Sequence, residues 1–372
     1  MRLAWRNILS DRARTLATAL GVSFAVFLMI FLGSLLMGFL RASSKVVDST
    51  DADLWITARG VTCFDFSALL SRRTEDLAYG VPGVASISRL IIVFPMYRRP
   101  DGRHRMVALV GADPGVGPRF PLPLVHGSAE AMEPDTAVVD ESDLTTLGIP
   151  SFPQEAQVNR RRITLLGQRK GFSSFIGCPY VFTSYESAAR YGRLPAEEGM
   201  NLLVRVAPGW APEEVRKMLA ARFPEASVWT RDAFSRQSRK FWVIQTGAGG
   251  GILMAALLGF LIGTVIASQQ IYATTMENIA EFATLKALGA SRWFVVRVLL
   301  AQALICGVAG CIPGVALAFP LVHLTQRFIA WIYTPWWLPV LMVPPTLIMC
   351  CAAAVLSVRA ALNVDPARVF RA

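Results

Sequence analysis

The chain has 372 residues, of which 53% are hydrophobic and only 17% charged, with a mean hydropathy of +0.45. That is too apolar for an ordinary soluble domain, and the apolar residues come in long blocks. The formal net charge of +11 would suit a nucleic-acid binder, but much of the excess lies in short segments beside the apolar blocks, where positive charge sets membrane orientation.

Residues 1–14 set Leu3, Trp5, Ile8 and Leu9 among Arg2, Arg6, Arg12 and Arg14, a pattern that suits a helix lying in the cytoplasmic interface. Residues 15–40 contain no Asp, Glu, Lys or Arg. About 20 helical residues cross a ~30 Å hydrocarbon core, so this stretch is a first span. It exceeds a signal-peptide core and lacks an A-x-A site, so it is expected to be retained.

Residues 41–240 have the composition of a folded polar domain, with 26 basic and 22 acidic residues. Strands are expected at 53–57, 90–94, 106–110 and 136–139. A hairpin is expected around residues 159–162. The run 202–206, a helix over 212–222 and the run 227–230 form a strand–helix–strand unit. The domain is expected to be mixed α/β, in one lobe or two.

Residues 241–272 form a second span with an extension beyond the membrane, and its glycines permit close helix packing. Residues 273–297 form a polar island. Residues 298–322 are a third span interrupted by Pro313. A short loop, 323–338, carries Trp331, Tyr333, Trp336 and Trp337, aromatics suited to the far membrane face. Residues 339–358 are a fourth span, and residues 359–372 a basic tail. The fold class is thus a helical membrane protein with four spans and one large mixed α/β domain between the first and second. The charge bias puts both termini and the island in the cytoplasm.

The island carries Ile279, Phe282, Ala283 and Leu285 at helical spacing, then Gly289 as a stop. Such a helix either docks a partner on the cytoplasmic side or lies on lipid. Other chemistry is sparse. No P-loop is present, and the Gly247–Gly251 stretch runs into an apolar helix without a phosphate-binding lysine. The four spans lack the ionisable residues of an ion relay. His104, His126 and His323 are scattered, and no hydrolase or zinc motif occurs. Cys63 and Cys178 fall in the polar domain, where a disulfide is open to them. The basic runs Arg160–Arg162 and Arg169–Lys170 read as solvated, or as contacts for anionic lipid or an acidic partner.

The island sequence EFATLKALGAS resembles the cytoplasmic segment of FtsX-like permeases, the membrane subunits of MacB- and LolC-type ABC transporters. Glu281, Lys286, Ala287, Gly289 and Ala290 match that segment, and Phe282 and Ala283 depart from it. The ending DPARVF, residues 365–370, is similar to the family's D-P-A tail. The opening LAWRN, the GVSFAVFLM of the first span, the DADLWI after it and Gln302 are similar to DevC-like exporter permeases. The resemblance implies a bacterial inner-membrane permease, acting as a homodimer, with its large domain in the periplasm. It implies no catalysis and no cofactor in this chain, with ATP and Mg bound by a separate ABC ATPase. It further implies a periplasmic membrane-fusion protein and an outer-membrane channel as partners, and no nucleic acid. Motion of the ATPase would be transmitted to the periplasmic domain to export a lipid, lipoprotein, peptide or drug. The ATPase-facing residues would be Glu277, Glu281, Phe282, Leu285, Lys286, Gly289, Ala290 and Arg292. The alternative is an FtsX-type regulator controlling a periplasmic partner such as a cell-wall hydrolase.

Overall fold

The structure, a computed structural model, describes residues 12–113, 134–195, 198–277, 284 and 291–362. The chain divides into two units, residues 1–38 with 250–372, and residues 39–249.

The first unit is helical. Among the described residues, three helices are long and apolar enough to cross a membrane: Ala19–Ala42, Ala248–Ile266 and Val296–Thr325. The fourth expected span corresponds to a short helix, Leu338–Leu341, followed by Val343–Leu362. Its described apolar part, Leu338–Ala354, is shorter than the other three. Small residues set the packing. Gly310 and Gly314 lie one turn apart and face the Arg12–Ala42 helix. A Cβ on Gly310 would stand 2.6 Å from Val22, and one on Gly314 would stand 2.7 Å from the Ser23 carbonyl. That spacing lets two helix backbones approach closely. Pro313 and Pro320 sit inside the Arg292–Thr325 helix without ending it.

The second unit is built on one mixed sheet. Its strands are β1 (Leu54–Ala58), β2 (Leu70–Ser71), β3 (Val84–Val93), β4 (Met96–Arg98), β5 (His104–Met106), β6 (Ala108–Ala112) and β7 (Thr136–Asp140). They continue as β8 (Gln154–Val158), β9 (Arg161–Arg169), β10 (Tyr180–Ser184), β11 (Glu198–Gly199), β12 (Asn201–Val206) and β13 (Ala226–Thr230). Eleven of them pair in the order β13-β1-β12-β3-β6-β10-β7-β9-β8-β4-β5, while β2 and β11 pair separately. The strand–helix–strand unit is present, with β1 between β12 and β13 and antiparallel to both. Its helix, Pro212–Arg222, opens with proline in the first turn followed by Glu213 and Glu214, which suit the positive end of the helix dipole. The expected strand at 106–110 divides into β5 and β6 at Val107, whose N–H still donates to the Pro95 carbonyl, so both keep one register against β4 and β3. The expected hairpin is β8–β9, with its turn at Asn159 and Arg160.

The sheet is continuous, with separate cores along it. One joins β1, β12 and β13 to the Pro212–Arg222 helix and includes Ile56, Val204 and Leu219. Another joins β7 to β10 and the Tyr185–Gly192 helix, and includes Leu165, Val181 and Tyr191. A third gathers Trp55, Phe172, Phe182 and Phe234.

Arg169 corrects an expectation from the sequence. It is wholly buried, because the inward and outward alternation along β9 places it inside. Its guanidinium lies 3.5 Å from the centre of the Phe172 ring and 3.4 Å from that of Phe182, two rings set edge to face at 75°. The neighbouring Lys170 is exposed. Cys63 and Cys178 are both free thiols. Burial pushes the Cys63 thiol up to about 12, which leaves it a poor nucleophile.

Candidate functional site

The segment expected to face an ATPase lies mostly outside the described residues. Glu281, Phe282, Leu285, Lys286, Gly289 and Ala290 all do. Its two ends are described: Glu277 ends the Ala248–Glu277 helix, and Arg292 begins the Arg292–Thr325 helix. Ser291 caps the latter, its hydroxyl accepting the Phe294 N–H at 3.3 Å.

A second constellation, which the sequence reading did not single out, lies at the base of the α/β unit. There the chain enters after the Arg12–Ala42 helix and leaves before the Ala248–Glu277 helix. The incoming chain forms a short helix, Lys45–Asp48, and the outgoing chain forms the helix Arg231–Lys240. Arg239 joins them. Its Nε donates to Ser44 at 2.8 Å, and its terminal nitrogen donates to Asp48 at 2.8 Å.

One turn further on, the helix widens. Phe241–Gln245 is a π-helix, a geometry that commonly marks a functional or hinge position. It ends at Gly247, whose φ of 72° suits glycine. Thr246 fastens this corner by donating to the Trp242 carbonyl at 2.6 Å and accepting from the Ala248 N–H at 3.3 Å. The run expected to be one continuous helix from residue 241 is therefore two pieces, Phe241–Gln245 and Ala248–Glu277, interrupted at Gly247.

Trp242, inside the π-turn, is the centre of an aromatic collar. Its ring lies 4.7 Å from Phe175, 5.7 Å from Phe66, 5.6 Å from Phe241 and 6.5 Å from Phe39. Most of these contacts are edge-on, as ring quadrupoles prefer. The indole N–H donates to Asp65 at 3.1 Å, and the other oxygen of Asp65 accepts the Tyr180 hydroxyl at 2.9 Å.

Asp65 sits on a single 3-10 turn, Phe64–Phe66. Ser67 pins that turn by donating to the Phe64 carbonyl at 2.7 Å, and Asn201 reaches Ser67 at 2.9 Å. Asp65 is almost fully buried. Burial holds its pKa above the usual carboxylate range, and the donors Tyr180 and Trp242 only partly offset this. Tyr180 is raised further, by its own burial and then by Asp65 beside it. Tyr180 opens β10, which lies between β6 and β7 in the interior of the sheet. The chain Trp242–Asp65–Tyr180 thus runs from the helical corner to the middle of the sheet.

This arrangement is suited to carrying load. A buried carboxylate with two directional donors resists displacement of either one, because losing a partner leaves a costly unsatisfied group. The collar adds close-packed rings that pass displacement on with little compression. Sequence periodicity had no means of finding it, since Asp65 lies 115 residues from one partner and 177 from the other.

Two protein families match the chain, one after the other. Residues 15–222 match the MacB-like periplasmic core domain family, and residues 252–366 match the FtsX-like permease C-terminal family. No curated protein matches the sequence. Among solved structures, the periplasmic region of MacB from Actinobacillus actinomycetemcomitans is similar at 12% identity and a TM-score of 0.38, covering 51% of this chain and 92% of that one. The extracellular domain of the noncanonic ABC-type transporter YknZ from Gram-positive bacteria is similar at 10% identity and a TM-score of 0.36, covering 49% of this chain and 100% of that one.

Proposed function

Since the chain belongs to the family of FtsX-like permeases with a MacB-like periplasmic core domain, membrane subunits of ABC transporters, we propose that it is an exporter permease that relays the work of a separate ATPase to its outer domain. The input is the cytoplasmic segment from Glu277 to Arg292. The output is the α/β unit, residues 39–249. The neck around Trp242 is the step between them.

The observation that supports this reading is the double fastening of the neck. Arg239 ties the outgoing chain to the incoming one, and Trp242 ties it to the sheet through Asp65 and Tyr180. A domain that merely hung from the membrane would have no need of a buried, doubly hydrogen-bonded acidic link at its base. The relay needs no cofactor in this chain, since ATP and Mg act in the partner ATPase. A second copy of the permease would complete the membrane part. Its exposed face is available on the Ala248–Glu277 helix, where Leu253, Leu257, Leu261 and Val265 are half exposed at nearly one-turn spacing. A fusion protein and an outer-membrane channel would take substrate onward.

The test is co-purification of the full-length protein with its ATPase. Glu281→Lys and Gly289→Trp are expected to uncouple or release the ATPase while leaving the permease folded. Full retention of ATPase binding and of export by both variants would refute the assignment of the input segment.

A further inference from the structure

The far end of the sheet from β13 carries a surface that the relay does not use. There β9, β8, β4 and β5 form a four-stranded antiparallel platform. Its inward residues, Tyr97, Val158 and Ile163, are buried in the core. On the opposite face the register lines up His104, Arg98, Gln157 and Arg162 in a row across all four strands. Met96 and Met106 pair beside that row, 42% and 47% exposed.

Three features of this platform coincide. First, residues 96–106 and 154–162 hold seven arginines against two acids, Asp101 and Glu155, and no lysine. Arginine alone offers a planar fork that grips a carboxylate at two points. Glu155 answers Arg162 only at 4.0 Å, with both side chains largely exposed, so the pair leaves the arginine open to a better acceptor.

Second, the turn of the β8–β9 hairpin is strained in the direction of charge. Asn159 and Arg160 have φ of 47° and 65°. Asn159 is compensated, since its side-chain oxygen accepts from the Met96 N–H at 3.1 Å and its amide donates to the Tyr191 carbonyl at 2.8 Å. Arg160 occupies the position where such a turn favours glycine, and its side chain is exposed. Left-handed backbone at a bulky exposed residue is a cost without a local structural return.

Third, β5 ends the sheet, and among the described residues it pairs only with β4. Arg99 donates to the Arg103 carbonyl. By ladder alternation Tyr97 and Arg105 are then also a bonded pair, so the backbone groups of His104 and Met106 point to the open edge. Flexible methionines beside such an edge suit a surface that accommodates an extended chain.

We propose that this platform docks an acidic, extended segment of a partner protein, which adds a strand to β5 and sets its carboxylates on Arg98, Arg160 and Arg162. The open edge favours a polypeptide over a lipid surface, because a membrane offers no backbone partners for His104 and Met106.

The test uses the full-length protein in detergent, with a fluorescent peptide of alternating glutamate and valine as the probe, at low ionic strength. The peptide is expected to bind, to slow hydrogen exchange at the His104 and Met106 amides, and to bind about tenfold or more weakly to the double variant Arg98→Glu/Arg162→Glu. Lys217→Glu/Arg222→Glu, the same charge change on another exposed helix, should bind as the parent does. Arg160→Gly should raise the melting temperature yet weaken peptide binding, a split that a purely structural arginine would not produce. Equal loss in both double variants, no peptide binding at all, or unchanged exchange at β5 would overturn the proposal. So would arginine-dependent binding of phosphatidylglycerol vesicles without binding of the peptide, which would make the face a membrane contact.

Discussion

Trp242 and Asp65 meet across 3.1 Å, an indole N–H on a buried carboxylate, 177 residues apart in sequence. The same carboxylate holds Tyr180, so one acidic side chain joins the helical corner to the sheet. Trp242→Phe keeps most of the ring and removes the donor. Leaving a buried polar group without one of its partners costs roughly 1–3 kcal/mol. The α/β unit should therefore melt earlier by about that amount in denaturant titration. The Asp65 pKa should also rise further, because one of the two donors that lower it is gone.

Arg239 makes the complementary case. The two side chains of its link to Asp48 are 41% and 35% exposed, and a pair of that kind contributes only about 0.5–1 kcal/mol. Arg239→Ala should leave stability nearly unchanged in thermal denaturation. If the neck carries motion, the same variant should reduce export per ATP hydrolysed far more than it reduces stability. A parallel decline of the two would mean that Arg239 serves the fold alone.

Asp143 gives a pH signature. Burial, and then the neighbouring charge of Asp140, raise its pKa from 3.8 to about 7. One of its oxygens is buried without a hydrogen-bond partner. A raised carboxylate pKa favours the folded state while the group is protonated, and that contribution is lost as pH climbs through the folded value. Asp143→Asn should therefore change stability little near pH 4 and stabilise the domain by roughly 2 kcal/mol at pH 8. Urea melts at the two pH values read this directly. A variant effect independent of pH would contradict it.

Arg169 owes its position to two aromatic faces. Arg169→Lys keeps a positive charge but replaces a broad, weakly hydrated group by a compact, strongly hydrated one that makes poorer contact with the Phe172 and Phe182 rings. A loss of about 2–4 kcal/mol is expected, within the range for disturbing a buried charge. Near-neutral behaviour in chemical denaturation would mean that those contacts contribute little.

Local signals carried much of the fold. Pro212, Glu213 and Glu214 mark the start of their helix, and the apolar runs expected as strands at 53–57, 136–139 and 202–206 fall, within a residue at each end, on β1, β7 and β12. The neck was not legible for physical reasons. Asp65 sits on one 3-10 turn, too short to leave a periodicity, and its partners come from distant strands and helices. Gly247 read as a packing glycine in an apolar run, because composition does not distinguish a helix corner from a helix interior. Arg169 read as solvated, because its neighbour Lys170 is charged and the pairing that turns β9 inward is a property of the whole sheet. Three of the four expected spans were directly legible, since hydrocarbon length and charge exclusion act on the sequence itself.

The central claim is that nucleotide-driven work passes through the neck to the sheet. Hydrogen exchange of the full-length protein bound to its ATPase, with and without a non-hydrolysable ATP analogue, tests it most directly. In the parent, nucleotide should change exchange in the π-turn Phe241–Gln245 and also around Asp65 and Tyr180. In Trp242→Phe the change should persist in the π-turn and stop there. The same nucleotide response at Tyr180 in both proteins, or none in either, would contradict the account.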